Sequence, residues 1–325
     1  MMVGDMVNEK QKGLAYSIQS FLCNAGSLVG FLFPFIFTWI GISNIAPQGV
    51  VPDSVIYSFY IGAAILILCV IYTTVKVKEM PPAEYAEYHG ITEEEKKKKI
   101  NMVKLLVKAP KAFWTVGLVQ FFCWFAFMFM WTYTNGSVAA NVFDAPTVET
   151  VVNGANKVVL DTKSIQYQNA ADWVGVLFAV QAIGSVLWAV CIPMFKNRKL
   201  IYSLSLVLGG IGFISTYFVH NQYVLFISFL LIGCAWAAML ALPFTILTNA
   251  LSGGHMGTYL GLFNGTICIP QIVAATLGGS ILALFTPKGM LPPEINMLVM
   301  AGVMLIIGAV CVYLIKETKG EQAKA

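Results

Sequence analysis

The chain has 325 residues, 58% of them hydrophobic and only 11% charged, against roughly 25% charged in soluble domains. With a mean hydropathy of +0.75, that composition excludes an ordinary soluble globular protein. It describes a polytopic membrane protein, and the net charge of +4 reports topology rather than nucleic-acid binding.

A helix needs about 20 apolar residues to cross the hydrocarbon layer. Eight stretches meet that length, and none alternates with the polar/apolar period of a barrel strand, so the expected fold is an all-α bundle of eight transmembrane helices. Residues 1–76 hold the first two, Leu14 to Ile40 and Ser54 to Lys76. In the first, Tyr16, Ser20 and Asn24 recur every four residues on one stripe, Gly26 and Gly30 form a small-xxx-small step, and Pro34 can kink the helix. Residues 77–111 form a charged cytoplasmic linker in which Glu93 to Glu95 precede Lys96 to Lys99, a pattern of a solvated helix or an anionic-lipid contact.

Residues 112–316 carry the other six spans. In Ala112 to Tyr133, the residues Gln120, Trp124, Phe127 and Trp131 follow at steps of four, three and four, one helical stripe. Residues 134–171 form an outside loop rich in turn residues, among them Asn141, Asp144, Pro146, Asn153 and Gly154, that suits either a small cap or a disordered segment. Its Asn135-Gly136-Ser137 sequon carries little weight, since such tripeptides arise often by chance. In the fourth span, Asp172 to Phe195, Gln181 and Trp188 are seven apart. Leu200 to Val219 and Tyr223 to Asn249 follow, with Pro243 in the latter. The seventh span, Gly257 to Phe285, places Asn264 and Gln271 seven apart and sets Gly257, Gly261 and Gly265 in consecutive small-xxx-small steps that favour close helix packing. The last span is Ile295 to Ile315, and residues 317–325 form a tail.

Short cytoplasmic loops retain Lys and Arg. With both termini cytoplasmic, only Lys157, Lys163 and Lys288 fall outside, so 17 of the 20 basic residues lie inside. In a bacterium this is an inner-membrane topology. The seven cysteines all lie within the spans with no CxxC pair, and read as packing residues rather than disulfides or metal ligands.

No ionisable side chain lies deep in any span, so the usual intramembrane carboxylate for proton coupling is missing. The three histidines, His89, His220 and His255, are far apart in loops, and no hydrolase or metalloprotease motif accompanies them, which argues against an enzyme. The spans offer neutral amides and indoles instead. Amides exchange hydrogen bonds with sugar hydroxyls, and flat rings pack on the apolar faces of a pyranose. Two readings stay open for Gln120, Trp124, Asn264 and Gln271: a sugar site, or polar packing between helices. For Trp131 and Trp173, near span ends, the interfacial belt is the favoured reading.

From Pro243 onward the sequence acquires a pattern: Pro243-Phe244-Thr245-Ile246-Leu247-Thr248-Asn249, a polar turn, then Gly257-Thr258-Tyr259-Leu260-Gly261-Leu262-Phe263-Asn264 and Ile269-Pro270-Gln271. This resembles the tenth and eleventh helices of major facilitator superfamily carriers, in the branch of sucrose and maltose carriers and proton-coupled sugar transporters. Gly4-Asp5 through Gln11 with Tyr16 and Asn24 resembles that branch's fifth helix and the loop before it, and Gln120-Phe121-Phe122-Cys123-Trp124 its seventh.

The resemblance implies a major facilitator-type bundle in which the eight spans are helices five to twelve, the first four of twelve being absent. It further implies a proton-driven symporter of a disaccharide or glycoside, working by alternating access, with no cofactor and the proton as coupling ion. Asn24, Gln120, Trp124, Gln181, Asn264 and Gln271 would bind sugar, while Asp5 and Arg198 would serve in gating loops. The basic end at Lys196 to Lys199 lacks the superfamily's usual Gly-x-x-x-Asp-Arg form. Other classes compatible with the sequence are a non-transporting sugar sensor or scaffold and, further off, a membrane enzyme. The partners expected are a small sugar and the lipid bilayer, with no nucleic acid.

Overall fold

The computed structural model describes residues 11–42, 53–78, 102–152, 155–250 and 256–315, with a few isolated positions besides. These hold ten α-helices: α1 Lys12–Trp39, α2 Asp53–Lys76, α3 Met102–Val107, α4 Lys111–Asn141, α5 Ile165–Cys191, α6 Arg198–Ser215, α7 Leu225–Ala250, α8 Met256–Phe263, α9 Gly265–Phe285 and α10 Ile295–Cys311. Among the described residues seven spans are long and apolar enough to cross a membrane, α8 and α9 counting as one, and α1, with 28 residues, has the length of an eighth.

Capping side chains fix two of the starts. Ser164 accepts from the Tyr167 N–H ahead of α5, and Asn197 Oδ1 accepts from the Leu200 N–H at 3.1 Å ahead of α6. Helix α4 is central: it packs on α10, α9, α7 and α5, while α7 lies on α5, α6 and α1. Outside this bundle, α1 leans on α5 and α7, and α2 touches chiefly α1, with only 6% of its apolar window buried.

Apolar surface alone does not drive helices together in lipid, so close backbone approach and van der Waals contact must do it. Glycines supply the approach. A Cβ at Gly184 of α5 would stand 2.6 Å from the Leu230 carbonyl of α7, and one at Gly233 of α7 would collide with the Gln181 carbonyl of α5. Gly210 of α6 and Gly302 of α10 face each other's carbonyls in the same way. The glycines expected to do this, Gly257 and Gly265, do not. A Cβ at Gly257 would meet nothing within 4 Å, and one at Gly265 would meet only Ile269 of its own helix. Gly261 is exposed. Spacing along one helix does not say whether a partner faces it, and here the α8–α9 face is open.

The outside segment is more ordered than its composition suggests. Helix α4 runs to Asn141, two turns past the expected end at Tyr133, and α5 begins at Ile165. Between them β1 Thr147–Val152 and β2 Ala155–Leu160 pair antiparallel, Val152 opposite Ala155, so the two residues between are Asn153-Gly154, the dipeptide that most favours a two-residue hairpin. The Asp161 N–H bonds the Pro146 carbonyl at 2.8 Å and closes the hairpin's base. The sequon lies inside α4, where Asn135 Nδ2 donates to the Tyr167 hydroxyl at 2.9 Å and Ser137 is buried, so the folded chain offers no acceptor there.

The Lys96 to Lys99 block lies outside the described residues. Of the linker, α3 is described, and it is tied to the bundle by the Tyr259 hydroxyl of α8, which donates to the Leu105 carbonyl at 3.3 Å.

Candidate functional site: a ring-and-amide cavity between α1 and the bundle

Helices α1, α7 and α8 enclose a cavity of about 280 Å³, at the low end of the volumes that hold small molecules. Helix α1 contributes Tyr16, Gln19 and Cys23, α7 contributes Leu240 and Phe244, and α8 contributes Leu260, with Asn264 at its end. These seven positions include no charged side chain. Tyr16 and Phe244 stack across the gap with ring centroids 6.3 Å apart and planes within 22°, which joins α1 to the bundle through two flat faces.

Asn264 reaches the cavity because the helix breaks there. Its N–H is shared between the Leu260 and Gly261 carbonyls at 3.3 and 3.2 Å, and its own carbonyl accepts from Ile267 and Cys268. The local tightening leaves the Asn264 side chain exposed at the junction of α8 and α9. Asn24, one residue beyond Cys23, is fully buried.

The third-span stripe is real but does not line this cavity. Gln120 is fully buried, and its Nε2 donates to the Met239 carbonyl of α7 at 3.1 Å. That carbonyl sits four residues before Pro243, whose ring nitrogen carries no hydrogen to bond it. Gln120 thus serves helix packing through its amide N–H, while its Oε1 has no partner among the described residues. Trp124 lies edge-on to Trp236 at 5.7 Å and near Trp131 at 6.4 Å, and its buried indole N–H also has no described partner. Trp236 and Phe127 approach to 4.8 Å.

The remaining expected residues scatter. Gln181 is buried at the α5–α7 crossing, and Trp188, on its stripe, donates instead to the Ser205 hydroxyl of α6 at 2.8 Å. Gln271 is half-buried in α9. Arg198 is the first residue of α6 and half-buried, and Asp5 lies outside the described residues. Among the described residues no cluster of His, Cys, Asp and Glu could hold a metal.

Sequence reasoning missed Gln19, Leu240, Phe244 and Trp236 as lining or neighbouring residues. Trp236, Leu240 and Phe244 stand at successive steps of four in α7, and the stripe test applied to the third span would have found them in the sixth. A helix read as wholly apolar hides such a stripe, because aromatic and aliphatic residues look alike on a hydropathy scale.

A family model described as Major Facilitator Superfamily matches residues 1–160 and 138–325. No curated protein matches the sequence closely. Among solved structures the chain is similar to a Major Facilitator Superfamily transporter, FucP, in the outward conformation. The identity is 13%, the TM-score is 0.64, and the match covers 98% of this chain and 71% of that one. At that identity the likeness speaks for the fold. The family model spans the chain from end to end, and with a multi-pass helical bundle whose helices follow the same fold, the chain belongs to the Major Facilitator Superfamily and is an integral membrane transporter of small molecules rather than an enzyme.

Proposed function

We propose that this chain is a secondary active transporter, or part of one, that moves a disaccharide or glycoside by alternating access with proton symport. The observation that carries the reading is the cavity at α1, α7 and α8, where stacked rings and two uncharged amides, Gln19 and Asn264, meet in about 280 Å³. Rings and neutral amides are the groups that bind a polyhydroxylated, uncharged solute, and a charged substrate would find no counter-charge there.

In this reading α1 and α2 belong to the amino-terminal half, residues 77–111 join the halves, and the helices from α4 onward belong to the carboxyl-terminal half. The distribution of Lys and Arg puts the hairpin outside and both termini in the cytoplasm. Asp5 and Arg198 are the candidate gating residues, and Asn24, Gln120, Trp124, Gln181 and Gln271 join the site only in a conformation that turns them toward the solute.

The test is counterflow of a labelled disaccharide in proteoliposomes, with and without an imposed pH gradient. Uptake that rises on acidifying the hairpin side supports symport. Saturable binding without counterflow would replace the transporter with a sugar sensor.

A further inference from the structure

The spans hold no deep carboxylate, yet one stands at their edge. Glu294 immediately precedes α10, at the end of the bundle that carries the β-hairpin. Its carboxyl group lies directly against Gly136 of α4, where a Cβ would collide with both oxygens. Only the missing side chain of Gly136 makes that notch. Among the described residues the carboxyl group has no ion-pair or hydrogen-bond partner, and it makes no capping bond to its own helix.

The groups around it are neutral. Tyr133, one turn back on α4, is the titratable side chain that feels its charge. Helix α9 presents Gly278 to the Tyr133 hydroxyl, and α10 itself brings no acidic or basic residue to its first turn. Lys288, in the turn before it, is exposed.

We propose that Glu294 is a proton-binding site, its neutral form seated in the Gly136 notch so that α10 closes on α4 at the hairpin end, and its ionised form drawn out toward water. Burial pushes its carboxyl up to about 7 from the usual 4.5, so it changes charge near neutral pH. The positive end of the α10 dipole favours the ionised form, but with no capping bond formed, burial prevails. The role of this proton in symport rests on the transport reading above. Proton binding itself does not.

The test is pH titration of purified protein in detergent by infrared difference spectroscopy, following the carboxylic C=O stretch. The expected result is a band with a midpoint near 7 that disappears in Glu294→Gln and whose midpoint falls toward the ordinary Glu range in Gly136→Ala. A wild-type titration with no component above about 5, the ordinary Glu range, would by itself overturn the proposal. So would a band near 7 that persists in Glu294→Gln. Neither outcome depends on sugar transport, so failure of the sugar reading leaves a distinct result.

Discussion

Gln120 of α4 donates to the carbonyl of Met239 in α7 at 3.1 Å, and that carbonyl is the one Pro243, four residues on, cannot bond. In a bilayer an unpaired main-chain carbonyl is costly, and a neighbouring side chain is one of the few available remedies. Replacing Gln120 by Ala should cost about 1 kcal/mol of stability in mixed-micelle unfolding. In a Pro243→Ala background, where the helix can bond its own carbonyl, the same change should cost distinctly less. Equal costs in both backgrounds would mean the amide is not compensating for the proline.

The helix crossing at Gly233 gives a sharper contrast. Gly233→Ala drives a methyl group into the Gln181 carbonyl and should destabilise the bundle by about 1–3 kcal/mol, the range for overpacking. Gly257→Ala meets open space and should be neutral or raise stability by up to about 1 kcal/mol through helix propensity. Thermal unfolding in detergent compares the two directly.

For the cavity, Asn264→Ala removes an exposed amide and no packing. It should weaken sugar binding about tenfold, the equivalent of one hydrogen bond to a polar ligand, while leaving the melting temperature unchanged. Trp124→Ala should do the reverse, lowering stability first, because its ring is packed against Trp236 and Trp131 away from the cavity lining. Binding titration and thermal unfolding on the same preparations separate the two. Weakened binding with intact stability in Trp124→Ala would mean that its ring meets the solute directly, as in the conformation that turns it toward the cavity.

Stability should also depend on pH through Glu294. Its folded-state value, about 7, lies above the unfolded 4.5, so the native state holds a proton that the unfolded chain has given up. That contribution is fully present below about 4.5 and is lost as pH rises through 7. Melting temperatures taken across this window should fall with rising pH in the wild type, and the fall should flatten in Glu294→Gln.

The spans were legible in the sequence because length and hydropathy alone dictate them. The stripe through Gln120, Trp124, Phe127 and Trp131 was legible as well, though not its direction: a stripe has one orientation among several neighbours, and Gln120 turns to a proline-freed carbonyl that only the crossing of α4 with α7 supplies. Tyr16 and Asn264 were both picked out, yet their meeting across one cavity joins positions far apart in the chain, and no periodicity encodes that. Glu294 was passed over because it lies at a span's end, where carboxylates are ordinarily solvated. What buries it is the absence of a side chain on a different helix. The hairpin had a local signal in Asn153-Gly154, which the turn-rich residues around it masked.

The tie between Tyr259 and Leu105 has a consequence for biogenesis. The two residues are 154 positions apart, so when the ribosome has delivered the linker, most of the carboxyl-terminal bundle has still to be made and inserted. The hydrogen bond that ties α3 to α8 forms only once α8 has been made. Helix α3 is among the earlier described parts of this chain to be synthesised, yet its tie to α8 is among the later contacts to form.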